Sequence, residues 1–132
     1  MTFAARFYTA LSGNAGVSAL VGTRIYPMLR TRGEVLPALV YTVISASPIA
    51  TLNNSGYADD IFSVSCDDVT YAGAQSLADA VALALDNFKY TAAAPYIYAC
   101  RLDSRAETID NSGERSGATY RVTLDFYVNT KG

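Results

Sequence analysis

The chain has 132 residues, and a chain of this length is expected to fold as one domain, residues 1–132, that buries about two-thirds of its unfolded surface. Its formal net charge of -2 and its pI near 4.9 argue against tight binding to a phosphate backbone. Because it lacks both an uninterrupted run of about eighteen apolar residues and a secretory leader pattern, we expect no membrane span and no export, and therefore assembly in the cytoplasm.

A short amphipathic helix is predicted at the beginning of the chain. Phe3, Phe7 and Leu11 recur at a spacing of four residues, which places their side chains on one stripe of a helix of about ten residues. The Ser-Gly-Asn triplet at residues 12–14 is expected to end this helix. Residues 17–21 then predict a second short helical turn that stops at a glycine.

A short edge strand and a long hairpin are predicted next. Ile25 and Tyr26 precede Pro27, which has no backbone N–H and so confines such a strand to the edge of a sheet. After a predicted loop, residues 39–47 are apolar at almost every position, as expected of a strand covered on both faces or buried in a subunit contact. A turn cluster leads back into residues 57–67, where apolar and polar residues alternate as in a second strand.

One helix and a second hairpin complete the predicted elements. From Thr70, a predicted N-cap, apolar residues at helical spacing mark a helix that ends near Asn87. Alternation at residues 96–102 and 119–128 predicts two more strands, joined by a polar, glycine-bearing loop at residues 107–117. The order predicts an α+β fold, with a mostly antiparallel, four-stranded sheet and both helices on one face.

The sequence offers little for catalysis. It has no histidine, the commonest general base and the commonest metal ligand. The carboxylate pair Asp67–Asp68 precedes a helix, so a solvated or helix-capping role is expected for it. Cys66 and Cys100 are too far apart for the paired spacing of structural zinc sites. Two buried thiols are expected, with a disulfide open if their strands are neighbours. We therefore expect no enzyme activity, no metal and no cofactor.

Tyrosine and arginine usage favours protein partners. Ten tyrosines are present, and a tyrosine ring buries area in an assembly while its hydroxyl keeps a hydrogen bond. Three arginines gather around the predicted loop after Pro27, where a solvated loop and an intersubunit salt bridge both stay open.

The order of these patterns also resembles a known family. Within residues 17–48, a short turn ends at a glycine, an arginine-led Ile-Tyr-Pro follows, and a proline opens an apolar strand that stops at Ser-Pro. Phe7-Tyr8 in the first helix, residues 62–66 leading to Thr70-Tyr71, and residues 120–126 extend the similarity over nearly the whole chain. In this order and spacing the chain resembles the small tail-completion, or tail-terminator, proteins of long-tailed bacteriophages.

The resemblance implies a structural, non-enzymatic role in the virion tail. Such proteins form a ring, typically of six subunits, that lies on the finished tail tube, stops polymerisation of the tube protein and presents the surface that joins the head. The implied partners are other copies of the chain, the tail tube protein, the head-tail connector proteins and the tape measure protein. DNA would pass through the pore without specific binding.

The same resemblance suggests which residues make these contacts. The residues expected at a subunit or tail-tube interface are Arg24, Tyr26, Arg30, Arg32, Tyr41, Tyr96 and Tyr98. The acidic residues expected on loops that face the lumen are Asp59, Asp60, Glu107, Asp110 and Glu114.

Three other interpretations stay open from the sequence. The nearest is a head-tail connector or neck protein, which shares the ring architecture but binds the portal side. A small enzyme could use a carboxylate pair or the arginine cluster. A small prophage-encoded binding module could use the apolar strands for a peptide or homodimer contact.

Overall fold

Helices and strands occupy most of the chain that the computed structural model describes, which comprises residues 3–27, 36–48, 57–92, 96–110 and 119–131. The elements in chain order are α1 (Phe3–Ser12), α2 (Ala15–Val21), β1 (Ile25–Pro27), β2 (Ala38–Pro48), β3 (Tyr57–Asp68), α3 (Tyr71–Leu85), β4 (Tyr96–Asp110) and β5 (Thr119–Lys131). No helix in these ranges is long and apolar enough to cross a membrane.

The strands form one five-stranded sheet with the order β1-β2-β3-β5-β4. β1 pairs with β2 in parallel, and the three remaining pairings are antiparallel. The predicted α+β class and the mostly antiparallel sheet are confirmed. The predicted four strands and two helices become five strands and three helices within the described ranges, because the short edge strand and the second helical turn are both complete elements.

The core lies between the helices and one face of the sheet. Phe7 of α1 stacks on Phe62 of β3, with ring centroids 4.2 Å apart, and both side chains are fully buried. Successive side chains of a strand point to opposite faces, so every second residue of β5 enters this core. These residues are Val122, Leu124, Phe126 and Val128. α3 contributes Ala74, Leu77, Ala78, Val81 and Leu85 to the same core.

Polar caps fix where the helices begin and end. The Asn14 side chain accepts a hydrogen bond from the Val17 N–H at the start of α2, and the Thr70 hydroxyl accepts one from the Gly73 N–H at the start of α3. After α2, Gly22 adopts a positive φ of 58°, which a residue without a side chain reaches at little cost. Thr70 and Gly22 therefore have the capping roles that the sequence predicts.

A bulge changes the predicted orientation of the side chains at the start of β4. The pairing with β5 shifts between Ile97 and Ala99, so the alternation of residues 96–102 is interrupted. Ile97 and Cys100 are buried in the core, whereas Tyr98 is exposed. The regular alternation predicted for residues 96–102 is therefore wrong at this point, because Tyr98 and Cys100 differ in burial.

The predicted acidic loops are also corrected. Asp59 and Asp60 lie within β3, while Glu107 and Asp110 lie within β4. β4 continues through this polar stretch because β5 pairs with it as far as Asp110. Glu114 lies outside the described residues.

Both cysteines are buried and free. Cys66 lies on β3 and Cys100 on β4, with β5 between the two strands. Their strands are therefore not neighbours, and the disulfide that the sequence left open does not form.

Candidate interaction surfaces

The sheet ends in two very different edges. At one edge, β1 has only three residues, and the last of them, Pro27, has no backbone N–H to donate. At the other edge, β4 has fifteen residues and pairs with β5 on one side only. Exposed edges of this length are templates for pairing with another chain unless something covers them.

The first half of the β4 edge is covered by the chain that follows α3. Tyr90 exchanges two backbone hydrogen bonds with Ile97, of 2.9 and 2.8 Å, and the Asn87 N–H donates to the Cys100 carbonyl. The Asp86 carboxylate accepts a hydrogen bond from the Leu102 N–H. From Ser104 to Asp110, no backbone group in the described part of the chain pairs with the outer edge of β4.

Side chains from α3 and this open half of β4 form a hydrogen-bonded network. Glu107 accepts hydrogen bonds from the Tyr71 hydroxyl at 2.8 Å and the Gln75 amide at 2.6 Å. Arg105 donates to Asp79 at 2.8 Å and also to the Gln75 carbonyl oxygen. The hydrogen bond from Tyr71 and, to a smaller extent, the hydrogen bond from Gln75 lower the pKa of Glu107. This exposed carboxylate therefore stays charged at neutral pH.

Exposed apolar side chains adjoin the network. Tyr71 is 52% exposed and Ile109 is 55% exposed. The Tyr71 ring also meets the Tyr120 ring edge-on, with centroids 6.1 Å apart. Apolar side chains beside preorganised polar groups are typical of protein contact surfaces. The sequence interpretation missed this surface because it assigned residues 107–117 to a loop.

The β1 edge contains Arg24 and Tyr26, two of the predicted interface residues. The Arg24 guanidinium donates to the Pro37 carbonyl at 2.8 Å and to the Leu20 carbonyl at 3.3 Å. It therefore ties the end of α2 to the beginning of β2. Tyr26 is half-buried on β1. The other two predicted interface arginines, Arg30 and Arg32, lie outside the described residues.

The remaining predicted interface tyrosines lie elsewhere. Tyr41 is half-buried on the helix side of β2, where its ring lies 6.1 Å from Tyr8 and 5.9 Å from Phe62. Burial and, to a smaller extent, the nearby Tyr8 hydroxyl raise the pKa of Tyr41. Tyr96 and Tyr98 stack on each other at the beginning of β4, with centroids 5.9 Å apart. The predicted interface residues are thus distributed over several places rather than gathered in one patch.

The two acidic residues of β3 have different environments. Asp59 accepts a hydrogen bond from Asn129, and a hydrogen bond to Asp59 raises the pKa of the Tyr127 hydroxyl. Asp60 is only 1% exposed and accepts a hydrogen bond from the Thr130 hydroxyl at 2.8 Å. Burial raises the pKa of Asp60; the hydrogen bond from Thr130 opposes this in part, and the charge of Asp59 raises the pKa further.

The two edges of the sheet differ in the charge of the segments that form them. Residues 22–27, which include β1, contain Arg24 and no acidic residue. Arg6 of α1 instead lies over the Tyr90 ring, 3.9 Å from its centroid, and Tyr90 pairs with Ile97 of β4. Residues 71–110, which include α3 and β4, contain five acidic and three basic residues. Within the described ranges, no group of three or more histidine, cysteine or acidic side chains is placed to hold a metal ion.

Two comparisons with known proteins give matches. The family model described as "Tail completion protein gp17" matches residues 5–131. Among solved structures, a chain from "Virion of native gene transfer agent (GTA) particle" has a similar fold, with a TM-score of 0.65 and 20% sequence identity. That alignment covers 96% of this chain and 92% of the other chain. No curated protein sequence matches this chain.

Proposed function

The chain belongs to the tail completion protein gp17 family, and from this membership we propose that it closes the end of a tail tube as a ring of identical subunits. At the level of the family, the protein is a structural component of a phage-type virion tail. The family match over residues 5–131 is the observation that carries the proposal. The family also points to a structural rather than a catalytic role.

The proposed mechanism is steric. In a ring, one patch of each subunit binds a different patch of the next, and assembly stays finite because the rotation closes. A closed ring bound to the last layer of tube protein would cover the surface to which the next tube subunit adds. Each subunit contact would need to bury on the order of 800 Å² per partner to be stable. The opposite face of the ring would then be free to join the head-tail connector proteins.

The other partners follow from this location. The tail tube protein would bind one face of the ring, and the tape measure protein could meet the ring from inside the tube. The fold similarity to a chain of a gene transfer agent virion is consistent with a place in such a particle. The proposed ring has six subunits and assembles in the host cytoplasm.

The proposed lumen needs side chains that let DNA pass without binding it. We restrict this role to Asp110 and Glu114, because Asp59 is bonded to Asn129, Asp60 is buried against Thr130 and Glu107 is bonded to α3. Replacing Asp110 and Glu114 together with lysine should slow DNA passage and lower infectivity while rings still form. Unchanged infectivity in assembled particles would contradict the lumen role.

Tube polymerisation in vitro tests the proposed function directly. Purified tube protein is polymerised with and without this protein, and tube lengths are measured by electron microscopy. Added protein should stop elongation, so that tube length no longer increases with time. It should also appear as a ring at the tube ends. Equal length distributions in the two preparations would refute termination. Binding to the portal side without any effect on tubes would instead identify a neck protein.

A further inference from the structure

The two edges of the sheet have properties that fit each other. The open half of β4 contains Glu107, and its Arg105 is already paired with Asp79 of α3, whereas the β1 edge contains Arg24 and no acidic residue. Oppositely charged surfaces steer association and select the correct partner. Because the two edges bound the same sheet on opposite sides, they cannot contact each other within one chain.

The strand register places the two edges at the same level of the sheet. Ile25 of β1 and Glu107 of β4 are connected across the sheet by consecutive register partners, which are Leu39, Cys66 and Val122. In the same way Tyr26 is level with Ala106, and Pro27 is level with Arg105. A second copy displaced sideways along the sheet would thus bring its β1 against the open half of β4 with little shift along the strands.

The strand directions also agree. β1 is parallel to β2, and three antiparallel pairings then separate β2 from β4, so β1 and β4 run in opposite directions. Placed side by side, they would be antiparallel neighbours. Pro27 has no N–H, so β1 cannot complete a full ladder. Its carbonyl groups can still accept hydrogen bonds, and side chains must supply the rest of the contact.

We propose that the open half of β4, over residues 104–109 and together with the adjoining α3 side chains, binds the α2–β1 edge of a second copy of this chain. The contact is head-to-tail, since it joins two different edges. Its repetition generates the ring described under the proposed function, on which this inference rests. Tyr71 and Ile109 supply exposed apolar area, and the Glu107 network supplies fixed charge.

Cysteine cross-linking tests which edges meet. Tyr26→Cys and Ala106→Cys each introduce a thiol on one of the two edges, at positions that the strand register sets level with each other, while the native Cys66 and Cys100 are buried. The two variants are mixed, mildly oxidised with tail tubes present, and analysed on a non-reducing gel. The mixture should give a covalent dimer, and neither variant alone should give one. The double variant Y26C/A106C should give a ladder of multimers.

The control uses Ala92→Cys, which is exposed but lies in the chain that follows α3 rather than on the open edge. Mixed with Y26C, it should give no dimer. A dimer of A106C alone would overturn the head-to-tail contact, because it would require two copies to meet through the same edge.

Charge variants test the electrostatic contribution. Glu107→Lys should raise the protein concentration needed for half-maximal assembly about tenfold, since it places a cation against an arginine-containing edge. Glu107→Gln, which removes the charge and keeps one acceptor oxygen for the network, should have a smaller effect of the same sign. Asp103→Lys is the matched control on the same strand, before the open half, and should change assembly less than about twofold. Equal effects of E107K and D103K would count against the proposed edge.

The outcomes separate this inference from the proposed function. If unaltered protein caps tubes as a ring but Y26C and A106C do not cross-link, the edge contact is wrong and the terminator function stands. If unaltered protein never caps tubes, the terminator function fails. The two single-cysteine variants are then mixed at high protein concentration without tubes, and a covalent dimer supports the edge contact, whereas its absence refutes it.

Discussion

Arg121 and Asp67 form an ion pair across neighbouring strands. They are register partners on β5 and β3, and the guanidinium donates two hydrogen bonds to the carboxylate, of 2.8 and 3.1 Å. The Asp67 side chain is fully buried, while that of Arg121 is 36% exposed. The solvated or capping role that the sequence suggests for Asp67 is therefore wrong.

Removing the arginine should be costly. Arg121→Ala leaves the buried Asp67 carboxylate without its principal cation, and we expect the free energy of unfolding to fall by about 3 kcal/mol. Urea denaturation followed by circular dichroism measures this change. Arg101→Ala, on an exposed position of β4, is the matched control and should stay within about 0.5 kcal/mol of the unaltered protein. Similar losses for both variants would argue against a special role for the pair.

Asp60 should make stability depend on pH. Burial raises its pKa in the folded state above the ordinary value of 3.8, so the folded state holds the proton more readily than the unfolded state. Its contribution to the free energy of unfolding is therefore largest below the ordinary pKa and is lost as pH rises through the raised one. Asp60→Asn, neutral at every pH, should flatten this dependence and stabilise the protein at neutral pH.

Urea titrations over a pH series compare D60N with the unaltered chain. Asp103→Asn, which removes an exposed carboxylate, is the control and should leave the pH dependence unchanged. A D60N variant that keeps the original slope would show that another group is responsible.

The stacking of Phe7 on Phe62 should hold α1 on the sheet. Phe7→Ala removes a fully buried ring, and such truncations cost about 3–5 kcal/mol because they leave a cavity. Thermal or urea unfolding measures the loss. Thr9→Ala, two residues later on the exposed side of α1, serves as control and should have little effect. A small loss for F7A would mean that α1 packs elsewhere in solution.

The two thiols should react slowly in the folded protein. Burial, followed by the negative charge of Asp86, raises the pKa of Cys100 to about 12, and burial likewise raises that of Cys66. Because the thiolate is the nucleophile, alkylation at mildly alkaline pH should be at least about 100-fold slower than in urea. Mass spectrometry of iodoacetamide-treated protein follows both sites. Equally rapid labelling with and without urea would contradict their burial.

The sequence predicts the fold best where apolar residues follow one period. Alternation in β3 and β5 identifies both strands, and the Thr70 cap with its helical spacing identifies α3. It predicts less well where a bulge shifts the period, as at Tyr98, because an inserted residue reverses which side chains face the core.

Polar edge strands are the harder case. Residues 103–109 are all exposed, so no apolar alternation marks them as part of β4. Their pairing with β5 decides the structure, and that partner lies beyond the loop in the sequence. The α3–β4 network was missed for the same reason, since Tyr71 and Glu107 become neighbours only when β4 continues past Leu102.

The position of β5 has a consequence for synthesis of the protein. β5 follows all the other strands along the chain, yet it lies between β3 and β4 in the sheet. Until β5 has left the ribosome, β3 and β4 have no strand between them. The core side chains that pack against β5 then stay exposed to solvent. The nascent chain therefore cannot reach its native sheet stepwise, and premature translation stops before Thr119 should yield chains that aggregate or are degraded.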